Sequence, residues 1–464
     1  MNNIDTQNIL KFLICRLCSI SIVACMIGPH ILAANKPNII LITTNGQAFN
    51  MTGFEGNKIV KTPNLDTLAA DSVHFTRCYT PTPQNAPSQA CILTGQYPHT
   101  HHVTSDGMTL SKTANTFTAR LKKANYICGF VGTWNLDKSN TTKPGFGLAD
   151  YSAIVRLPAG WNNCKAWVQG KDTKVEKFLT DWHGDRAIEF VNQHKEKTFF
   201  LWLSFKAPQP PLTYPPATES IYPPDKVDLP KSANIYNRRL PNTIRNLPVV
   251  KDYQRKEKNL LQDRSKHYAM ITRTDENIGR LVKRLDELKL RDKTAIVFTC
   301  NTGLALGEHK LYGQGPLFYD ELVRGPLLIH IPKMENQGKK IDRVVSLVDL
   351  APTFCELIDI YVPITMQGQS LMPLIRNPDT SQHVNERFFE YDKQNNRPYP
   401  ARGIVTSNYK FIDYLKDNDI LYDLKRDPEE MNNLNNEREY SAVIKVLKQR
   451  LEYWRKFTKD PVSR

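Results

Sequence analysis

Residues 36–46 read KPNIILITTNG. Ile39 to Ile42 form an unbroken apolar run rich in β-branched residues, and it closes on Thr43, Thr44, Asn45 and Gly46. A strand apolar at odd and even positions alike is covered on both faces, which is how a strand of a helix-covered parallel sheet reads. The polar end with its glycine marks the carboxyl end of the strand opening into a loop.

The same theme recurs along the chain. An amphipathic helix followed by a strand is legible at 62–75 (TPNLDTLAADSVHF), 115–132 (NTFTARLKKANYICGFVG), 181–205 and 275–303. Helix and strand alternating in this way predict an α/β sandwich with a mostly parallel central sheet. Ligands of such sheets sit beyond the carboxyl ends of the strands, so the loops after Thr44, Gly132, Phe205 and Cys300 are predicted to converge on one rim. The Pro-rich stretch 207–250 is too long for a plain connector and reads as a surface loop shaping a cleft. Residues 345–358 read as a further helix. The charges of KNLLQDRSKHYAM (258–270) read as a solvated helix face. Past residue 376, ERFFEYD, RGIVTSNYKFIDYL and ILYDLKRDPEE read as short antiparallel strands, and SAVIKVLKQRLEYWRKF (441–457) as a closing amphipathic helix. The expected organisation is a leader over 1–34, an α/β domain over 35–375 and a small α+β subdomain over 376–464.

The leader rests on Lys11 and Arg16, an apolar run from Leu17 to Ile27, and small residues at Ala33 and Ala34. That layout is a secretory signal peptide, too short for a membrane span. IVAC, ending at Cys25, also fits a lipid-anchoring site, which leaves a lipoprotein as the second reading. No later stretch has the apolar length of a membrane helix.

The 464 residues carry a formal charge of +15. Beyond residue 34 there remain 60 Lys and Arg against 46 Asp and Glu, a net +14. For an exported protein, that field points to anionic polysaccharide rather than nucleic acid. Six cysteines remain there, Cys78, Cys91, Cys128, Cys164, Cys300 and Cys355, without CxxC or Cys/His zinc spacing. They read as buried thiols, with one or two disulfides open in an oxidising compartment.

Stretches distributed from about residue 36 to 440 resemble the sulfatases, within the alkaline-phosphatase-like superfamily. They include KPNIILITTNGQ, NAPSQACILTGQYPH (85–99), YICGFVGTWNL (126–136), FLWLSFKAPQPP (200–211), VFTCNTGLALGEHKLYGQGPLFYDELVRGPLLI (297–329) and LYDLKRDPEEMNNL (421–434). The resemblance implies a sulfuric-ester hydrolase that uses a Cys or Ser matured to formylglycine, a calcium ion, and basic groups around the sulfate. Position by position, this chain departs from that pattern. The nucleophile of the Cys/Ser-x-Pro-x-Arg motif is Asn85, and its Arg is Gln89; the Arg after Thr-Gly is Gln96. The paired metal-binding aspartates are Asn45 and Gly46, and the later metal pair is Asn301 and Thr302. The Lys and His of Gly-Lys-Trp-His are Thr133 and Asn135, the His of Ala-Pro-His is Gln209, and the Lys of YGQGP is Gln314. His309 of GEH is retained, as are Pro87, Thr94-Gly95, Trp134, Gly313, Gly315-Pro316 and Arg324.

The losses are mutually consistent. Calcium takes six to eight oxygens, mostly from carboxylates. Without the cation, a leftover basic cluster would be an uncompensated charge in a cleft. The expectation is therefore a secreted pseudo-sulfatase with no cofactor, binding sulfated glycan or an active sulfatase partner. The alternative is an active sulfatase of sulfated carbohydrates that uses non-standard residues and calcium. A rewired nucleophile would be Ser88 or Thr94 with His309 or His101; the plainer role for both hydroxyls is to cap the helix after the loop. HTHH (99–102) reads as imidazoles gathered by chance in a surface loop.

Overall fold

The structure is a computed structural model. It describes residues 36–137, 148, 150–156, 160–234, 247–334, 336–379, 382–392, 400–415 and 417–462. The leader and the Cys25 anchoring site lie outside the described residues.

Among these residues runs an eleven-stranded mixed sheet whose centre is parallel. Its five parallel neighbours are Thr294–Cys300, Asn38–Asn45, Phe199–Pro208, Ile127–Gly132 and Tyr151–Val155, in that spatial order. Antiparallel strands extend both edges. The first strand shows why the alternation is missing from its sequence. Ile39 and Leu41 enter one apolar core, beneath the helices Asn85–Thr94, Phe117–Lys123 and Leu350–Leu357. Ile40 and Ile42 enter the opposite core, under Pro63–Ala70, Leu179–His194 and Leu260–Glu287. Helices thus cover both faces, as the continuous apolar run requires.

The predicted helix over 345–358 begins later than its sequence suggests. Val345 and Ser346 still belong to the strand Lys340–Ser346, whose last residue opens a capping box with Asp349. The Pro-rich stretch is anchored rather than free: Tyr222 and Val227 pack with Ala48, Met51 and the helix residues Tyr268 and Ile271. The face containing Arg264 is a correction to the solvated reading. Arg264 is buried and donates to Glu308 Oε1 at 2.7 Å and to the Leu306 carbonyl at 3.1 Å.

Glu386–Tyr391, Ala401–Thr406, Tyr409–Asp413 and Ile420–Asp423 form a four-stranded antiparallel sheet in sequential order. Leu447, Leu451 and Trp454 of the helix Ser441–Thr458 close one face over Phe388, Ile404 and Phe411. Phe389, Val405, Ile412 and Tyr422 turn the other face toward Tyr79, Phe318 and Tyr319. Buried ions stitch this contact. Lys410 pairs with both Asp320 and Glu430, and Arg387 reaches Asp349 at 2.9 Å. No helix among the described residues is long and apolar enough to cross a membrane. All six described cysteines are buried free thiols, so the disulfides left open by the sequence are not formed.

Candidate functional site

The carboxyl ends of the central strands deliver their loops to one rim, as the topology predicts. Asn301, just past its strand, donates its amide to Asn45 Oδ1 at 2.8 Å. Asn45 in turn donates to the Phe205 carbonyl of the next strand at 3.0 Å. Thr302 donates to Asn85 Oδ1 at 2.8 Å and accepts from Gln314 Nε2 at 2.7 Å. Gln314 Oε1 receives the longer donations of Asn85 at 3.3 Å and Gln209 at 3.4 Å. Gly46 joins through its backbone, with its N–H on the Thr302 carbonyl at 2.8 Å and its own carbonyl taking His267 Nε2 at 2.7 Å. Its φ of +82° is left-handed, and a Cβ there would stand 3.3 Å from Gln209 Cα. Seven predicted positions, Asn45, Gly46, Asn85, Gln209, Asn301, Thr302 and Gln314, are therefore one cluster, two hydrogen-bonded groups joined through the adjacent pairs Asn45–Gly46 and Asn301–Thr302.

Gln89, Thr133 and Asn135 form an adjoining bridge. The Gln89 side chain donates to the Thr133 carbonyl at 3.1 Å and accepts from the Asn135 N–H at 2.9 Å. Thus Gln89 fastens the helix Asn85–Thr94 to the loop after Gly132 through backbone groups. Gln96 is not part of the site. It follows the helix and donates to the Thr365 carbonyl at 3.0 Å, roughly 15 Å along the axis from Asn85 at 1.5 Å per residue.

The helix Asn85–Thr94 brings its amino end to the rim without a side-chain cap from Gln84. Its orphan donors are met by Asp106, whose carboxylate accepts from the Ala86 N–H at 2.8 Å. Burial raises the Asp106 carboxyl against the lowering effect of those N–H groups. Ser88 and Thr94 are not caps, contrary to the sequence reading; both lie inside the helix. Ser88 donates to the Asn301 carbonyl at 2.7 Å and accepts from Thr80 at 2.9 Å. Thr94 bonds back to the Ala90 carbonyl at 2.7 Å.

The histidines offered as partners for those hydroxyls are engaged elsewhere. His101 lies 3.3 Å from Cys91 Sγ and takes the Val103 N–H on its other nitrogen; burial lowers its pKa to about 3. His309 stacks on Tyr319 at 3.9 Å between centroids, with Nε2 3.7 Å from Glu321. Burial works against its charge, yet the Glu321 carboxylate leaves its pKa above the usual imidazole value. The HTHH segment is likewise not a chance surface loop. His99 is buried between Glu390 and the Thr458 carbonyl, tying this short helix to the C-terminal elements.

Apart from its backbone, the cluster offers calcium only neutral oxygens, several already committed to amide or hydroxyl donors. Asn301 Oδ1 is a buried amide oxygen of the cluster without a hydrogen-bond partner. Among the described residues, no group of three or more His, Cys, Asp or Glu side chains is arranged to hold a metal ion. Such a set does not fit a cation that draws its affinity from carboxylates.

Sequence reasoning missed one charge close to the rim. Lys206, on the strand that ends at Pro208, is 4% exposed, and its ammonium has no hydrogen-bond partner. It lies over the Trp161 ring at 3.9 Å, and burial lowers its pKa to about 8. Its position in LSFKAP, within a hydrophobic strand, was the available signal.

Comparison with known proteins gives the following. The sulfatase family model matches residues 37–360, and the model for the C-terminal region of N-sulphoglucosamine sulphohydrolase matches residues 307–457. An N-acetylglucosamine-6-O-sulfatase of Bacteroides thetaiotaomicron is 27% identical, over 96% of this chain and 90% of its own length. An arylsulfatase of Clostridium perfringens is 28% identical, over 91% of this chain and 93% of its own. A solved structure in complex with its substrate D-glucosamine-2-N,6-O-disulfate superposes with a TM-score of 0.82 at 26% identity, covering 92% of this chain and 99% of that one.

Proposed function

The chain belongs to the sulfatase family, and from that premise we propose that it is a member that binds sulfated glycans without hydrolysing them. The observation that carries this reading is Asn85. Its carboxamide is held on one side by the Thr302 hydroxyl and on the other by Gln314. A carboxamide has no thiol or hydroxyl that could be oxidised to an aldehyde, and so no hydrate that could attack sulfur. The surrounding Asn45, Gln89, Asn301 and Gln314 are neutral and bond to one another or to backbone groups, so they supply neither the charge nor the proton donor that general acid catalysis would use. Ser88 supplies no substitute, because its hydroxyl is committed between Thr80 and Asn301. The ligand class follows from the basic net charge and from the sulfated sugars named for the relatives. The leader read in residues 1–34 would place the encounter outside the cytoplasm.

The test is sulfate release from glucosamine 6-sulfate and from heparin oligosaccharides, by ion chromatography, beside calorimetric binding of the same ligands at low salt. Binding without release above the protein-free control is the expected result. Release that chelation abolishes would restore a calcium-dependent sulfuric-ester hydrolase. Absence of both overturns the glycan reading, and co-purification with an active sulfatase would then identify a protein partner.

A further inference from the structure

The hydrogen-bonded cluster leaves few polar groups at the strand ends free for a polyanion, and a different surface carries the matching charge. The helix Ser441–Thr458 buries Leu447, Leu451 and Trp454 against the antiparallel sheet. Beside that buried stripe runs a groove of about 720 Å³, lined by Ile444, Lys445, Lys448, Tyr453, Arg455 and Lys456 among others. A second hollow of about 460 Å³ shares Glu452, Arg455 and Lys456 and continues past Lys459 to Val462.

Lys445, Lys448, Glu452, Arg455 and Lys459 are spaced by three, four, three and four residues, so they share one face of the helix or its continuation. At 1.5 Å per residue, Lys445 and Lys459 are about 20 Å apart along the axis. Lys445, Lys456 and Lys459 are exposed. Cations outnumber carboxylates along the groove, though some are paired: Glu452 lies 3.6 Å from Arg455 and 3.8 Å from Lys456, and Asp460 lies 3.5 Å from Arg455. Glu452 is its exposed carboxylate, while Asp413 is 2% exposed and Asp460 is bound by Arg402. Lys448 is paired with Asp419 at 2.7 Å. The Arg450 guanidinium lies over the Tyr453 ring at 4.8 Å. That cover leaves ammonium groups and aliphatic carbon along the groove, where single-stranded nucleic acid would need open aromatic platforms. Compact ammonium charges beside apolar carbon suit the alternating sulfates and C–H faces of a sulfated polysaccharide.

We infer that the groove along the C-terminal helix is a binding site for a sulfated polysaccharide chain, separate from the cluster at the strand ends. This inference rests on the glycan-binding reading for its ligand class and adds the surface that performs it. The experiment is calorimetric titration of the full chain with a size-defined heparin oligosaccharide at low salt, for the native protein and for Lys445→Gln/Lys456→Gln/Lys459→Gln. These three side chains are exposed, and a thermal melt verifies that the variant is folded. The expected result is about a tenfold weaker affinity and a shallower salt dependence in the variant. Native-like affinity in the folded variant overturns the groove and leaves glycan binding standing. No heparin binding by the native protein overturns both. Tighter binding of single-stranded DNA than of heparin at matched salt overturns the assignment of ligand.

Discussion

Asn301 hands its amide hydrogen to Asn45 at 2.8 Å, across the ends of two parallel strands. Each residue stands where the sulfatase resemblance places a metal-binding side chain; the bond between them joins two neutral carboxamides and leaves Asn301 Oδ1 without a partner. Calcium at millimolar concentration, or a chelator, is expected to leave the thermal midpoint of the native protein unchanged, since a bound ligand would raise it by mass action. The double variant Asn45→Asp/Asn301→Asp sets two buried carboxylates face to face. It should lose about 3–5 kcal/mol, read from denaturant unfolding. A calcium-dependent rise in the native midpoint would contradict this account of the pair.

Ser88→Ala removes a buried hydroxyl that joins Thr80 to the Asn301 carbonyl. Its expected cost is about 1–2 kcal/mol of folding stability, with sulfate release remaining at the protein-free background. A fall in genuine turnover upon this substitution would instead give the hydroxyl a chemical role.

Lys206→Met should stabilise the protein at neutral pH. With its folded pKa near 8 and an unfolded value of about 10.5, the unfolded chain binds this proton more tightly. The penalty is present in full below about pH 8 and fades as the pH rises toward about 10.5. A shift of this size corresponds to roughly 3 kcal/mol, less what the contact with Trp161 returns. Unfolding free energies of native and variant protein from neutral to alkaline pH should therefore converge.

His309 gives the opposite sign. Its folded pKa is raised, so the stability it lends is complete below the unfolded value of about 6.5 and is lost as pH climbs through the folded value. Comparison with His309→Asn, which tolerates the same left-handed backbone, should show the native protein losing its relative advantage from mildly acidic to mildly alkaline pH. A difference that stays flat with pH would mean that folding leaves the imidazole's pKa where it is in the unfolded chain.

The architecture was legible because its signals are local. Ile39 to Ile42 could be read as a doubly covered strand since each successive side chain enters the opposite core. The rim followed from the parallel order, and with it the neighbourhood of Asn45 and Asn301, while Asn85 was placed there by the sulfatase resemblance. The misreadings share a different cause. Arg264 looked solvated because its partner Glu308 lies 44 residues away, and His99 looked incidental because Glu390 lies 291 away. Ser88 looked like a cap because its acceptor, the Asn301 carbonyl, belongs to another strand's loop. Helical periodicity reports which face of an element is apolar, but not which distant charge will meet it.

The backbone at Gly46 also bears on descent. A lineage starting from this chain and recovering an aspartate at position 46 would have to carry a side chain at φ +82°, pressed against Gln209. Both peptide groups of the residue are held in place, by Thr302 and by His267. The backbone at Gln209 would have to give by a few tenths of an ångström, and the new side chain would sit in a strained left-handed conformation. An acidic side chain gained at position 46 would thus meet its first obstacle in the main chain, at the close approach of Gln209 Cα, rather than in any side chain.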